Sequence, residues 1–414
     1  MQAKGEGCYR TQPQSRGLKQ AHSNRQSLAR EQGDSLMPIQ TTNIDAAIGY
    51  DGYDITADEV TYVIASGVSV VTATGIAVNE NYRSDMIDNF GQLISSYGVG
   101  VAIYGSSIND ALINEASGSI SGQEAVIVNG TSAYIANYGT MTGSSMGIEE
   151  FAGSGTHVDN YGRITGNNIG VEDEGLNDIA FNHGMINSIG TGFLFSFSSG
   201  TGMLENLGTI SGMTAAISSS GAGAVTIKNL GSLIGDVSLT DTGGDTFVNK
   251  GSMEGDVQLG NGANTFNGVR GTVDGMITGG SGVDIIKAGN DGETIAGGGG
   301  HDQLYGGKGA DTFVFSSTMK LDIDTVHGFN VVDDTIELSG SDYAALVAGV
   351  DPKFSIAAAA TSATDHLFYN TKNGELYYDP DGSGAQQAHE IANLGGGLKL
   401  TASDFLVASD FPVA

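Results

Sequence analysis

Four consecutive nonapeptides rich in glycine and acidic residues lie toward the C-terminal end of this 414-residue chain. They read GGSGVDIIK (279–287), AGNDGETIA (288–296), GGGGHDQLY (297–305) and GGKGADTFV (306–314). Their shared pattern is G-G-x-G-x-D-x-U-x, in which U is a large apolar residue. The glycine-rich half can bend sharply and turn its carbonyl oxygens toward one point, and the acid adds a carboxylate. Because Ca²⁺ takes six to eight oxygen ligands at about 2.3–2.6 Å, this pattern predicts calcium binding.

The element that must position these ligands is a tight coil made of two nonapeptides. Equivalent positions then stack every second copy, so Asp284 is expected beside Asp302. On the other side Glu293 is expected beside Asp311, with one Ca²⁺ bridging each pair. The second copy is degenerate, and the alternative is that the segments are glycine turns with solvated acids. The predicted metal-binding residues are Gly279, Gly280, Gly282, Asp284, Gly289, Asp291, Glu293, Gly297, Gly298, Gly300, Asp302, Gly306, Gly307, Gly309 and Asp311.

The acidic column extends toward the N-terminus from the nonapeptides. The segments TDTGGDTFV (240–248) and LGNGANTFN (259–267) place Asp245 and Asn264 where the aspartate of the motif belongs. The intervals from Asp245 through Asn264 and Asp284 to Asp302 are nearly equal. This spacing predicts one continuous solenoid whose coil shortens along the chain until it has the length of two nonapeptides. The neutral Asn264 could leave its own turn without metal.

A longer repeat fills the middle of the chain, with the phrase Asn-x-Gly-x-(Ile/Leu/Met)-x-Gly or a near variant. Its period is too short for two helices and predicts two or three short strands per coil, with stacked coils sharing one core. The recurring asparagine is expected to point inward and form a ladder of amide hydrogen bonds. The interval between copies becomes shorter toward the C-terminus, and the copies begin at Asn89, Asn114, Asn137, Asn160, Asn182, Asn206, Asn229, Asn249 and, more loosely, Asn267.

The nonapeptides resemble those of RTX (hemolysin-type calcium-binding) proteins, and the resemblance is strong over residues 279–314. Residues 315–414 resemble the tail of alphaproteobacterial members, in which DTFVF precedes an acidic strand segment. The resemblance implies Ca²⁺ binding, secretion by a type I apparatus through an uncleaved C-terminal signal, and an extracellular or cell-surface destination. Residues 89–278 are similar only in style to the solenoids of bacterial surface proteins and adhesins.

We therefore predict an all-β fold, a right-handed parallel β-helix or solenoid that continues into an RTX β-roll and ends in a β-rich cap. Residues 1–36 are expected to be a disordered extension or a mis-assigned start. Residues 37–88 are predicted to form an N-terminal cap, and residues 89–278 the solenoid repeats. The β-roll is assigned to 279–314, and the C-terminal cap and secretion signal region to 315–414.

Charge and cysteine content narrow the class of partner. The formal net charge is −30, and beyond the first 36 residues the chain holds 11 of its 17 basic and 44 of its 47 acidic residues. A surface this acidic repels nucleic acid and attracts divalent cations, and halophilic adaptation is the alternative explanation. Cys8 is the only cysteine, which excludes an intrachain disulfide and makes a metal the expected staple. No apolar run approaches the ~18 residues of a membrane-spanning segment.

Two classes of function compete for this solenoid. The first is a non-enzymatic secreted protein that acts in adhesion, matrix or surface contact, with an extracellular polysaccharide or a surface as partner. The second is a polysaccharide-active enzyme, a uronan lyase or epimerase, because parallel β-helices often carry such activities. An enzyme of that kind needs clustered acid–base and cationic groups. We favour the first class, because the basic residues between 89 and 278 are scattered: Arg163, Lys228, Lys250 and Arg270.

Two smaller features of the repeats have a structural and a functional interpretation. Tyr138, Tyr161 and His183 follow the repeating asparagine on successive coils, and we expect a side-chain ladder rather than a sugar-stacking stripe. His157 and Asp159 lie near Arg163 around one turn, and neighbouring coils are not expected to add acid–base partners.

One segment of the tail matches several positions of an EF-hand loop. Asp379, Asp381, Ser383 and Glu390 occupy loop positions 1, 3, 5 and 12. No flanking helices are expected there, so a polar hairpin turn is the favoured interpretation.

Overall fold

The fold comes from a computed structural model, which describes residues 39–46, 51–56, 58–104, 108–151, 153–316, 323–347, 349 and 352–409. The predicted extension or mis-assigned start, residues 1–36, lies outside the described residues.

Within the described residues the chain is all-β, with one short 3₁₀ helix at Ala402–Asp404. Parallel strands stack into a β-solenoid of about 12 turns, which confirms the predicted fold class. In chain order the strands are β1 (Ile39–Gln40), β2 (Ile44–Asp45), β3 (Tyr53–Asp54), β4 (Thr61–Ile64), β5 (Ser69–Thr72), β6 (Val78–Glu80), β7 (Met86–Asn89), β8 (Gln92–Ser95), β9 (Val101–Ile103), β10 (Ala111–Asn114), β11 (Ser119–Val128), β12 (Tyr134–Asn137), β13 (Thr140–Glu150), β14 (His157–Asn160), β15 (Arg163–Gly166), β16 (Ile169–Asp173), β17 (Asp178–Asn182), β18 (Met185–Ser188), β19 (Thr191–Phe197), β20 (Thr201–Asn206), β21 (Thr209–Gly212), β22 (Ala215–Gly221), β23 (Ala224–Asn229), β24 (Ser232–Ile234), β25 (Val237–Leu239), β26 (Thr246–Asn249), β27 (Ser252–Glu254), β28 (Val257–Gln258), β29 (Thr265–Asn267), β30 (Thr272–Asp274), β31 (Met276–Ser281), β32 (Ile285–Lys287), β33 (Thr294–Gly299), β34 (Gln303–Tyr305), β35 (Thr312–Phe315), β36 (Asp324–His327), β37 (Thr335–Ser339), β38 (Phe354–Ile356), β39 (Leu367–Asn370), β40 (Glu375–Tyr378), β41 (His389–Asn393) and β42 (Phe405–Ala408).

These strands form two sheets, and each coil crosses both of them. Sheet A contains one strand from each coil, for example β7, β10, β12 and β14, in parallel register. Sheet B receives the remaining strands of each coil. We call the turn from sheet B into the next sheet A strand the B-to-A corner, and the opposite turn the A-to-B corner.

Alternation along each short strand places the core between the sheets. In β4, Tyr62 and Ile64 are buried, whereas Thr61 and Val63 are only half-buried. Successive side chains of a strand point to opposite faces, so stacking equivalent strands builds continuous inward columns. On sheet A one such column is Ile87, Leu112, Ile135, Val158, Ala180, Leu204, Ile227, Phe247, Phe266, Ile286, Leu304 and Val326.

The asparagine ladder is confirmed from Asn89 to Asn249. Each side-chain amide donates to the Oδ1 of the asparagine one coil further, over seven bonds of 2.7–2.8 Å. All eight asparagines have no exposed surface. The looser copy is different, because Asn267 pairs with Val248 in sheet A and lies one residue out of register with Asn249. The ladder therefore ends at Asn249, whose amide keeps only the bond to a backbone carbonyl that the other ladder asparagines also make, here to Thr272 at 2.9 Å.

The coil loses one side just before the nonapeptides. Up to β30 each coil crosses sheet A once and sheet B twice, although in β11 and β13 the two sheet B segments are joined into one long strand. Among the described residues β30 pairs only with β27, on the preceding coil. The next coils have one strand in each sheet, and Ile285 is in register with Gln303, two nonapeptides further along the chain. The predicted shortening of the coil is thus a change from three sides to two.

The two ends of the described region can be compared with the predicted caps. The described part of residues 37–88 already stacks as coils, because β1 pairs with β4 and β4 pairs with β7 in parallel. At the C-terminal end β41 pairs in parallel with β36, and β39, β40 and β41 pair antiparallel. Residues 315–414 are therefore β-rich where the structure describes them, and this meander extends sheet A beyond β36.

Candidate metal centre

The four nonapeptides alternate between the two corners of the solenoid. The first and third lie at the B-to-A corner, where β31 leads into β32 and β33 leads into β34. The second and fourth lie at the A-to-B corner, before β33 and β35. Two nonapeptides make one coil, as predicted, and the apolar residue of each copy is buried in the core: Ile286, Ile295, Leu304 and Phe313.

At the B-to-A corner the acids stack in a single column. The backbone N–H of Asp284 donates to Asp302 Oδ1 at 2.8 Å, and that of Asp302 donates to Asp324 Oδ1 at 3.0 Å. Upstream, Asn264 donates to Asp284 Oδ1 at 2.7 Å, and Asp245 donates to Asn264 Oδ1 at 2.8 Å. The predicted column from Asp245 to Asp302 is therefore confirmed.

The A-to-B corner carries a shorter column of the same kind. The backbone N–H of Glu293 donates to Asp311 Oδ1 at 2.9 Å, and that of Asp311 donates to Asp334 Oδ1 at 3.2 Å. Both predicted stacked pairs are therefore present. Sequence reasoning missed Asp324 and Asp334, which end the two columns 22 and 23 residues after their partners. These intervals exceed the 18 residues that separate the stacked acids within the nonapeptides and match the longer coils upstream, which was the available signal.

The first glycine of each regular copy lies directly beneath the carboxylate. A Cβ on Gly279 would lie 2.5 Å from Asp284 Oδ2, and Gly297 and Gly306 face Asp302 and Asp311 even more closely. Any side chain there would displace the acid. The second and fourth positions have the positive φ that favours glycine, at Gly280 (107°), Gly282 (140°), Gly298 (96°), Gly300 (140°), Gly307 (106°) and Gly309 (118°).

The degenerate copy keeps part of this arrangement. Glu293 is 3% exposed and its Oε1 folds back over Gly289. Gly292 takes the positive φ, at 99°, one position later than in the regular copies. Asp291 is exposed, so this copy directs one acid inward and the other toward solvent.

The inward acids are buried without a complete set of hydrogen-bond donors. Asp284 and Asp302 have no exposed surface. Among the described residues, Asp284 Oδ2 and Glu293 Oε2 have no hydrogen-bond partner. Burial, followed by the charge of Asp302, raises the pKa of Asp284 to about 6. Burial, followed by the charge of Asp311, raises the pKa of Glu293 to about 7. Buried oxygen atoms beside glycine carbonyls are a donor set that fits a hard divalent cation.

A second polar group lies on the outer face of sheet A. His157 Nε2 lies 3.1 Å from Asp159 Oδ1, and Tyr134 from the preceding coil donates to Asp159 Oδ2 at 2.9 Å. Burial alone would raise the pKa of Asp159, but the hydrogen bonds from His157 and Tyr134 outweigh it and lower the pKa. The expectation that neighbouring coils add no acid–base partner was wrong. Arg163 does not join this group, because its guanidinium contacts Thr165 and Met185.

The aromatic residues after the ladder asparagines stack on one another. The rings of Tyr138 and Tyr161 lie 5.0 Å apart and 7° from parallel, and those of Tyr161 and His183 lie 4.5 Å apart and 5° from parallel. The predicted side-chain ladder is confirmed, since the ring faces cover each other.

The EF-hand-like segment is a hairpin turn, as favoured from the sequence. β40 and β41 flank it as antiparallel strands, and Glu390 lies within β41 opposite Tyr377. Asp381 Oδ2 accepts hydrogen bonds from the backbone of Ala385 and Gln386, at 2.9 and 3.2 Å. The polar side chains therefore stabilise the turn itself.

No family model, no curated protein and no solved structure matches the chain. Among the described residues, no helix is long and apolar enough to cross a membrane.

Proposed function

We propose that this protein is a secreted calcium-binding β-solenoid of the RTX type, in which Ca²⁺ binds at both corners of the two-sided coils. The observation that carries the proposal is the pair of stacked, buried acid columns, in which Asp284 and Glu293 each retain an oxygen without a hydrogen-bond donor among the described residues. The ion would be held by the acids Asp284, Asp302, Glu293 and Asp311 together with carbonyl oxygens of the glycine turns.

The bound ion would supply positive charge beside the buried carboxylates of an acidic chain. With a net charge of −30 and buried acids whose pKa values are raised, the metal-free chain is destabilised at neutral pH. Low calcium inside a cell would then keep the coils unfolded for passage through a type I secretion apparatus, for which residues 315–414 are the proposed signal region. Calcium outside would drive folding after export.

The biological role that follows is adhesion, matrix formation or surface contact, with an extracellular polysaccharide or another surface as the partner. A stacked solenoid presents long, regular outer faces, and such faces suit extended ligands. This role needs no catalysis, so the protein is proposed as a non-enzyme.

Calcium titration of the full chain after chelation tests the metal proposal. Ca²⁺ should increase β-sheet circular dichroism and raise the melting temperature, because binding is coupled to folding. Asp302→Asn should reduce both responses. Asp274→Asn makes the same chemical change at an exposed acid and should leave both responses intact. Identical spectra and melting temperatures with and without chelator would overturn the proposal.

Export needs a separate experiment. The full chain should reach the medium from Gram-negative cells that express a type I apparatus, and a chain without residues 315–414 should stay inside. Equal secretion of both chains would remove the export part of the proposal and leave calcium binding untouched.

One observation favours the alternative function, a polysaccharide-active enzyme. Tyr134, His157 and Asp159 form a connected hydrogen-bonded group on an outer face, where an extended substrate could lie. Histidine and tyrosine are side chains that can transfer protons in a lyase or epimerase reaction. Turnover of alginate or pectate that disappears in His157→Ala, while folding is preserved, would establish this alternative in place of the non-enzymatic role.

A further inference from the structure

A cluster of three acids lies in the three-sided part of the solenoid, far from the nonapeptides. Glu150 ends β13, Asp173 ends β16 and Asp178 begins β17. Glu150 and Asp173 are in register on neighbouring coils. Their exposed fractions are 3%, 4% and 4%, and one carboxylate oxygen from each lies within 4.8 Å of the others.

Two of these carboxylates converge on one point above a glycine. A Cβ placed on Gly175 would lie within 2.7 Å of both Glu150 Oε1 and Asp178 Oδ2. Both oxygens are buried, and no described residue provides a hydrogen bond to either of them. Gly175 therefore leaves space at the position where two unsatisfied oxygens meet.

The rest of the cluster is held firmly by the backbone. The N–H of Thr156 donates to Asp178 Oδ1 at 2.7 Å, and the N–H of Gly175 donates to Asp173 Oδ1 at 3.2 Å. No ion pair among the described residues reaches the three acids. Three buried carboxylates, of which Asp173 and Asp178 are anchored by backbone N–H groups, need a cation or protons when no ion pair neutralises them.

The cluster lies at the B-to-A corner, which the first and third nonapeptides also use. Asp178 is in register with Gly202, which is in register with Val225, and the N–H of Val225 donates to Asp245 Oδ1. Asp178 and Asp284 therefore occupy equivalent places at the B-to-A corner. Both accept a backbone hydrogen bond from the preceding coil and keep one oxygen without a donor among the described residues.

We propose that Glu150, Asp173 and Asp178 bind a divalent cation of the calcium class at a site separate from the nonapeptides. The ligands are all carboxylate oxygen atoms, which favour hard cations over soft metals that prefer thiolate ligands. The irregular geometry of the corner suits Ca²⁺ better than Mg²⁺, which requires a nearly ideal octahedron. This site would join neighbouring coils of the long solenoid. It rests on its own contacts and does not depend on calcium binding by the nonapeptides.

Proton uptake is the competing explanation. Burial, followed by the charge of Asp178, raises the pKa of Glu150 to about 9 and that of Asp173 to about 8. Protonated carboxyl groups could then share hydrogen bonds without any metal. The two explanations differ in their response to calcium.

Isothermal titration of the metal-free full chain with CaCl₂ distinguishes them. Glu150→Gln with Asp178→Asn should lower the number of bound ions by one relative to wild type. Glu149→Gln with Glu172→Gln is the control, since these acids directly precede Glu150 and Asp173 on β13 and β16 and point to the opposite face. The control should leave the number unchanged. Equal ion numbers for wild type and Glu150→Gln with Asp178→Asn would overturn the proposal.

Two further measurements keep the result unambiguous. Asp284→Asn with Asp302→Asn removes nonapeptide ligands only, so its effect reports separately on the proposed function. A variant that failed to fold would show in circular dichroism, and wild-type crystals soaked in terbium then provide the test. An anomalous peak between Glu150 and Asp178 supports the site, and a crystal with peaks at the nonapeptides alone overturns it.

Discussion

At the scale of single residues, one position of the B-to-A corner shows why a buried carboxylate needs a proton or a cation that an amide does not need. Asn264 and Asp284 occupy equivalent places, and each accepts a backbone hydrogen bond through Oδ1. The amide of Asn264 uses its second atom to donate to the carbonyl of Gly262 at 3.1 Å. A carboxylate cannot donate, so Asp284 Oδ2 beside the carbonyl-rich turn requires a proton or a cation.

This contrast predicts opposite effects of one substitution in two solutions. Asp284→Asn should raise the melting temperature of the chelated protein, because an amide can satisfy the oxygen-rich turn. The same substitution should reduce the temperature gain on adding Ca²⁺. Differential scanning calorimetry with chelator and with millimolar calcium measures both effects, and a parallel shift in the two solutions would contradict the prediction.

A buried acid away from both corners predicts the pH dependence of the metal-free protein. Burial, followed by the charge of Glu115, raises the pKa of Asp88 to about 7 from 3.8. The folded state therefore favours the protonated carboxyl, so the stability that its proton contributes is full below 3.8 and is lost as the pH rises from there to about 7. In chelator, Asp88→Asn should stabilise the protein slightly at pH 5 and more strongly at pH 8.

The control for this experiment is Asp274→Asn, which removes an exposed charge. Its melting temperature should follow that of wild type across the pH range. If the two variants had the same pH dependence, general charge repulsion and not burial of Asp88 would be the cause.

At the scale of elements, the asparagine ladder and the sheets impose one register on every three-sided coil. Each ladder amide also donates to a backbone carbonyl of a following coil, as Asn182 does to Thr209 at 3.0 Å. The ladder therefore ties sheet A to sheet B at a buried turn. Because each asparagine has partners on both sides, a break leaves donors and acceptors unsatisfied where water cannot reach them.

Asn182→Ala should consequently destabilise the solenoid by about 2–4 kcal/mol, since the loss of a buried amide leaves neighbouring polar groups unpaired. The control is Asn267→Ala, an asparagine of the same repeat that lies outside the ladder. It should cost less than about 0.5 kcal/mol. Urea unfolding midpoints in saturating calcium provide the comparison, and equal losses for the two variants would show that the ladder contributes little.

At the scale of the whole molecule, acidic charge dominates the balance between folded and unfolded chain. The excess of 30 negative charges is distributed over surface and buried sites. Monovalent salt screens surface charges but cannot enter a buried oxygen site. A halophilic protein and a calcium-binding protein therefore respond differently to salt.

Sodium chloride at about 0.5 M should raise the melting temperature of the chelated protein by only part of the increase that calcium produces. Millimolar CaCl₂ should raise it further, because specific binding adds stability by mass action. If molar NaCl alone restored full stability and calcium added nothing, halophilic adaptation would explain the composition.

The sequence by itself determined the features that depend on period. The all-β class, the coil lengths, the stacking of Asp284 on Asp302 and the asparagine ladder follow from spacing, since residues one coil apart must become neighbours. Residue types that recur at a regular interval therefore predict such contacts directly.

Only the tertiary structure decided contacts between residues that do not repeat. Tyr134 meets Asp159 and Glu150 meets Asp178 because turn lengths set the register between coils, and those turns vary. A shift of one residue reverses the face on which a side chain lies, and intervals that differ from coil to coil do not predict it.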